Sequence, residues 1–187
     1  MKTAFKEWAS VCRALLAGRQ VIILRKGGIA EESGAFKPEY ERFLLFPTRF
    51  HQSADQLSPE GRVFLEPARF DQPDEGNVII RGTAHVTQVH RVTNREAILA
   101  LNDQHIWSND VVEERFNRWE SNLVYALTLR VFALPEPVTL PVVDAYGGCK
   151  SWIELERDIP DALATPVLDD DEFETRLRAI SERLTQD

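Results

Sequence analysis

The sequence predicts an α+β domain built on a small, mostly antiparallel β-barrel, and three observations carry that prediction. Five to seven short apolar runs read as strands, without the regular strand-helix alternation of a doubly wound parallel sheet. The clearest is Leu123 to Val131, where Leu123, Tyr125, Leu127, Leu129 and Val131 alternate with Val124, Ala126, Thr128 and Arg130, so one face should be core. Helical patterns stand at both ends of the chain, with short helices inserted between strands. A chain of 187 residues with 43% hydrophobic content buries one substantial core. A single domain over 1–187 is therefore expected: a core over 1–152 with an irregular insertion at 53–76, then an acidic linker and a C-terminal helix over 153–187.

Taken in order, Phe5, Trp8, Cys12, Leu15 and Leu16 recur at helical spacing, with Thr3 as N-cap and Gly18 at the left-handed C-terminal position. Val21-Ile22-Ile23-Leu24 follows as a buried strand. Residues 30 to 41 read as a loop. Phe43-Leu44-Leu45-Phe46 is a second apolar strand, stopped by Pro47. The insertion, with Pro59, Gly61, Pro67, Pro73 and Gly76, holds at most a short strand at Val63-Phe64-Leu65. Val78-Ile79-Ile80 and Ala84 to Val89, separated by Arg81-Gly82, form two strands or one bent strand. Thr93-Asn94-Arg95-Glu96 matches a capping box ahead of Ile98, Leu99 and Leu101, and Ser108 or Asn109 caps a helix with Val111, Val112 and Phe116. A turn at Pro135-Glu136-Pro137 precedes an edge strand at Val138 to Val143. Phe173, Leu177, Ile180 and Leu184 make one helical stripe, with Asp169 to Glu172 at its N-terminus where the macrodipole favours acids. The stretch 153–168 is too proline-rich and acidic to assign.

The formal charge of -8 argues against a protein coated with nucleic acid, yet the charge is uneven. Residues 1–52 carry nine Lys/Arg against five Asp/Glu, whereas 153–187 carry four against eleven. No apolar run reaches membrane-spanning length, and Met1 to Leu16 includes Lys6, Glu7 and Arg13, unlike a secretory segment. Two distant cysteines, Cys12 and Cys149, have neither zinc-ligand spacing nor a disulfide framework. A soluble cytoplasmic protein without membrane contact, metal or cofactor is expected; oligomeric state is not legible.

Four clusters join cations or hydroxyls to glycine or tryptophan at the ends of apolar runs, where a rigid scaffold presents polar groups to a ligand. They are Arg25-Lys26-Gly27-Gly28; Thr48 with His51 and Gln52; Trp107 with Arg115 and Trp119; and Gly147-Gly148-Cys149-Lys150-Ser151-Trp152. Arg25 and Lys26 suit phosphate oxygens, with backbone N–H groups from Gly27 and Gly28. Lys150-Ser151 resembles the end of a phosphate-binding loop, but the earlier glycine is absent, which argues against a nucleotide triphosphatase. Trp107 or Trp152 offers a face on which a base can stack. Arg115 and Arg118 flank Phe116 on a helix, where the duller alternative to ligand contact is a solvated face with the aromatic buried. Lys26 or Lys150 could activate Thr48, Ser151 or water, with Tyr146 or His51 as proton donor. His51, His85, His90 and His105 are too scattered to specify metal ligation.

The order of Ala4-Phe5-Lys6-Glu7-Trp8, Leu24 to Ile29, Arg42 to Thr48 with His51-Gln52, and Gly148 to Trp152 resembles an uncharacterised bacterial family, domain of unknown function 1802, over residues 4 to 155. That resemblance implies no activity. A more distant one is architectural. Leu15 to Gln20 followed by a strand ending in Arg25, then Gly82 to Val89, Tyr125 to Val131 and Leu134 to Val138, is similar to PUA-like barrels of the activating-signal-cointegrator homology group. The implied role is recognition of RNA or a modified base, with hydrolases or ribonucleases among relatives. The expected function is binding of a nucleic acid or nucleotide-like anion, RNA or a nucleotide, with Arg25, Lys26, Thr48, His51 and Lys150 around one cleft. The alternatives are hydrolysis there, or an interaction module without a small ligand.

Overall fold

A computed structural model describes residues 1–26, 29–32, 35–49, 52–72, 76–118, 122–148 and 150–185, with backbone alone at 29–32 and 35–37. Gly27, Gly28, His51, Trp119 and Cys149 lie outside the described residues.

Nine strands and five helices follow in the order β1 (Thr3–Trp8), α1 (Ala9–Leu16), β2 (Ile22–Arg25), β3 (Ile29–Glu32), β4 (Ala35–Pro38), β5 (Arg42–Thr48), α2 (Leu65–Ala68), β6 (Asn77–Val92), α3 (Arg95–Leu99), α4 (Asn109–Asn117), β7 (Val124–Pro141), β8 (Trp152–Glu154), β9 (Thr165–Pro166) and α5 (Asp170–Leu184) among the described residues. Seven of the strands form one mixed sheet in the order β2-β7-β6-β5-β1-β8, with β9 on β7, and β3-β4 is a separate hairpin. The pairs are antiparallel except β1 with β5. The α+β class and the antiparallel bias are as expected. The path is open from β2 to β8, so strand pairing among the described residues does not close the sheet.

β5 shows how the core is divided. Phe43 and Leu45 face one apolar layer with α1, α3, α4 and α5, while Leu44 and Phe46 face a second with Val78, Ile80, Leu140, Tyr146, Ile153 and Ile159. Four consecutive apolar residues are what a strand buried on both faces requires. β7 is central for the same reason, flanked by β2 and β6, and Val124, Ala126 and Thr128 are buried along with Leu127 and Leu129. Both of its faces are core, correcting the one-sided reading.

Other expectations change where tertiary pairing overrides local pattern. Thr3–Trp8 is a strand held between β5 and β8, and the helix begins only at Ala9. Gly18 keeps its expected role, with φ +66° at the end of α1. The 30–41 loop contains the β3-β4 hairpin, and β5 continues one residue past Pro47. Val63-Phe64-Leu65 is helical, within a run of 3-10 and α turns from Gly61 to Asp71. The bent strand is β6, with register shifts at Ile80/Gly82 and Val86/Gln88. Gly82 is required there, because a Cβ would lie 2.5 Å from the Phe132 carbonyl oxygen and from Leu16 Cδ2. Pro135-Glu136-Pro137 is no turn: β7 runs through it, and residues 134–137 bulge opposite Arg81, where no ladder N–H is needed. Asn94, and not Thr93, caps α3, and Ser108 caps α4. The unassigned stretch 153–168 supplies most of β8 and all of β9.

The insertion is held by Asp71. Its carboxylate, 1% exposed, accepts two bonds from Arg13 on α1 and one from Arg81 on β6, all at 2.6 Å. Arg49 donates to the Arg69 and Gln72 carbonyls, and Gln72 donates to the Pro47 carbonyl at 3.1 Å.

Candidate functional site

β1 organises the site. Phe5 and Glu7 share one face of this strand by its two-residue alternation. Trp8 ends the strand and stands at the N-terminus of α1, which it does not cap with its side chain. Gln52 supplies the cap from elsewhere: its Oε1 accepts the Ser10 N–H at 3.1 Å and the Ser10 hydroxyl at 3.0 Å. Thr48 ends the parallel neighbour β5, opposite Trp8, and its hydroxyl donates to the Glu7 carbonyl at 3.2 Å.

Two guanidinium groups stand near this strand end. Arg25, the last residue of β2, lies 4.7 Å from the Phe5 ring centroid and donates to the Ser151 hydroxyl. Arg115 on α4 lies 5.2 Å from the Trp8 ring and 4.4 Å from the Trp107 ring, with a long 3.5 Å bond to the Leu24 carbonyl. The candidate pair Trp107 and Arg115 is brought together, and the guanidinium is drawn inward by the faces of two indoles, which attract a cation. Burial pulls the pKa of both guanidiniums down, and in each case the Glu7 charge opposes that shift. Both remain cations, since arginine starts far above neutral pH.

Glu7 is 6% exposed. Among the described residues its carboxylate has one hydrogen bond, from the Trp8 N–H at 2.8 Å, and no ion pair. It therefore retains acceptor capacity in a partly desolvated setting, where a missing donor costs free energy. Trp152 completes the aromatic wall, edge-on to Phe5, Phe43 and Tyr40 at centroid distances of 4.7, 5.1 and 5.2 Å.

The structure thus gathers Arg25, Thr48, Gln52, Ser151 and Trp152 around residues 5–10. Other candidates are placed differently. The Lys26 ammonium donates to the Phe116 carbonyl in the last turn of α4 and to the Leu123 carbonyl just before β7, at 2.7 and 2.6 Å. Partial burial and then the charge of Arg118 lower its pKa. Trp107 is 1% exposed and forms a wall behind Arg115. Lys150 is exposed, one residue before the hydroxyl that Arg25 engages. Glu7, Trp8 and Ser10 were not legible as site residues, because helical spacing concealed the strand. Strand alternation through Phe5 and Glu7 is the signal that would have found Glu7.

Cys12 is inert by comparison, since burial, then Glu7 and Asp71, push its thiol well above the usual range. Among the described residues no three His, Cys, Asp or Glu side chains converge to hold a metal. No described helix is long and apolar enough to cross a membrane.

The chain is similar in fold to ASCH from Zymomonas mobilis, at 12% identity and a TM-score of 0.47, covering 95% of this chain and 93% of that one. Two mutants of the same protein match at a TM-score of 0.46, with 10% and 12% identity, over 94% of this chain and 94% and 96% of theirs. No curated protein matches the chain. The family model described as Domain of unknown function (DUF1802) matches residues 4–179, and the chain belongs to that family.

Proposed function

We propose that the protein binds a nucleic acid or nucleotide-like anion, RNA foremost, where β1, β2 and β5 end beside the first turn of α1. One observation carries this reading: Arg25 and Arg115 are drawn against aromatic rings at one strand end, without an ion-pair partner among the described residues. Guanidinium groups in that state gain strongly from phosphate oxygens. The hydroxyls of Thr48 and Ser151 and the positive end of the α1 dipole favour the same charge. Half-buried Trp8 and Trp152 offer rings beside it.

The test is a fluorescence titration with a short labelled single-stranded RNA at several salt concentrations. Arg25→Ala should weaken retention about tenfold and reduce the salt slope by about one. Unchanged affinity and slope would remove the reading. The buried carboxylate of Glu7 favours a second reading, hydrolysis at this place, because its unused acceptor positions can receive a proton from a hydroxyl or water. RNA recovered intact after incubation with the wild-type protein would count against it.

A further inference from the structure

Phe70 stands 63% exposed on the helical run of the insertion, among the largest apolar side chains left in water. Its neighbours are the opposite. Ala68 is fully buried, and Asp71 is 1% exposed and clamped by Arg13 and Arg81. Arg49 ties down the carbonyls of Arg69 and Gln72, one on each side of the Phe70-Asp71 pair, and Gln72 is bonded back to Pro47. The backbone beneath the ring is thus fixed on both sides while the ring projects. A flexible loop would have folded this ring against the surface to recover the free energy of burying it.

Among the described side chains bonded to this run, Arg13, Arg49, Arg69 and Arg81 stand against Glu66 and Asp71; Arg49 and Arg69 are exposed, and Asp71 is taken up by Arg13 and Arg81. Glu66 pairs with Arg69 at 3.3 Å, but both side chains are about 70% exposed, so water and salt screen that pair. Arg49 is also the residue after Thr48, which bonds to the Glu7 carbonyl. Surface cations and a rigidly held ring therefore continue outward from the strand end.

From this we infer that Phe70, with Arg49 and Arg69, is a stacking subsite for a base of a single-stranded nucleic acid whose phosphates also engage the Arg25 cluster. The inference rests on the reading proposed above and deepens it, because it names the form of the ligand. A single strand leaves base faces free to stack on an aromatic ring, whereas a duplex keeps them within its own stack. Val63, 65% exposed on the same run, makes a protein contact the competing occupant. A protein contact needs apolar area alone, while a base needs the flat ring and its flanking cations.

The experiment compares a labelled single-stranded RNA with its duplex on the full chain and on Phe70→Ala, Phe70→Leu and Phe70→Trp, each with its thermal melt and sedimentation. Phe70→Ala is expected to melt like the wild type and to bind the single strand about tenfold more weakly, with duplex retention unchanged. Phe70→Leu should lose as much, and Phe70→Trp should restore binding. If Arg25→Ala weakens retention while Phe70→Ala does not, the subsite is overturned and the anion site stands. Full binding by Phe70→Leu, or a change in sedimentation on losing the ring, would reassign Phe70 to a protein contact. Absence of binding by the wild type would overturn both readings.

Discussion

Asp71 and Glu7 are both buried carboxylates with two guanidinium groups nearby, and the contrast between them separates scaffold from site. Asp71 receives three charge-assisted bonds at 2.6 Å, so desolvation is offset by direct contacts on both oxygens. Glu7 influences Arg25 and Arg115 through space and forms no ion pair with either, and among the described residues its carboxylate accepts only the adjacent N–H. The same residue types therefore serve opposite ends. A saturated triad fastens the insertion to α1 and β6, and an unsaturated one leaves hydrogen-bonding capacity facing a strand end. Satisfaction of polar groups, more than their composition, distinguishes the two.

The largest expected effect breaks the first triad. Asp71→Asn leaves two arginines facing a neutral amide that cannot accept all three bonds, and should cost about 3–5 kcal/mol. Glu7→Gln keeps an acceptor for the Trp8 N–H and loses no ion pair, so its cost should be about 1 kcal/mol or less. Urea unfolding of the two variants measures the difference directly. Equal losses would show that Glu7 is as structural as Asp71 and would erase the distinction.

How much of this contrast was legible follows from where each signal resides. The existence of β7, the α5 stripe and a cap at Ser108 or Asn109 were readable because each depends on residues close in sequence. The first strand was not. Phe5, Trp8, Cys12 and Leu15 continue the helical spacing of α1, and only pairing with β5 and β8, from distant parts of the chain, makes Thr3–Trp8 extended. Glu7 was lost with it. The pairing of Arg115 with Trp107 was legible as a cluster, but its second indole, Trp8, was not, because Trp8 comes from the concealed strand. The cations Arg25 and Lys26 were legible as a pair, but sequence cannot show that neighbours diverge. One meets Ser151, while the other meets carbonyls at the end of α4 and just before β7. Asp71 gave no local sign at all, being one acid in an irregular stretch.

A second test uses pH on the Glu7 side. His105 is fully buried next to Trp107, with ring centroids 5.3 Å apart, and both of its ring nitrogens lack a partner among the described residues. Burial first, then the charges of Arg115 and Arg19, push its pKa down to about 4. The unfolded chain takes up this proton near the ordinary histidine value of about 6.5, before the folded one does. Stability is therefore complete above about 6.5, falls as pH drops toward 4, and levels below that, by about 3 kcal/mol in all. His105→Gln should flatten this part of the curve, which isolates it from His85 and His90, whose pKa values are lowered too. A curve unchanged by the substitution would mean that the ring is solvated and that its region belongs to neither triad.

The smallest expected effect concerns Lys26, which follows Arg25 in sequence but not in role. Its ammonium binds the Phe116 carbonyl, near the negative end of the α4 dipole, and the Leu123 carbonyl just before β7. It thereby joins a helix end to a strand start. Lys26→Met preserves most of the stem and removes both bonds, so a loss of about 1 kcal/mol is expected. RNA retention should change less than for Arg25→Ala, since the ammonium is already engaged by two carbonyls. A fluorescence titration run beside the melt separates these contributions. If Lys26→Met weakens retention as strongly as Arg25→Ala, the ammonium must leave those carbonyls for the ligand, and the boundary of the unsaturated region moves outward to include the end of α4.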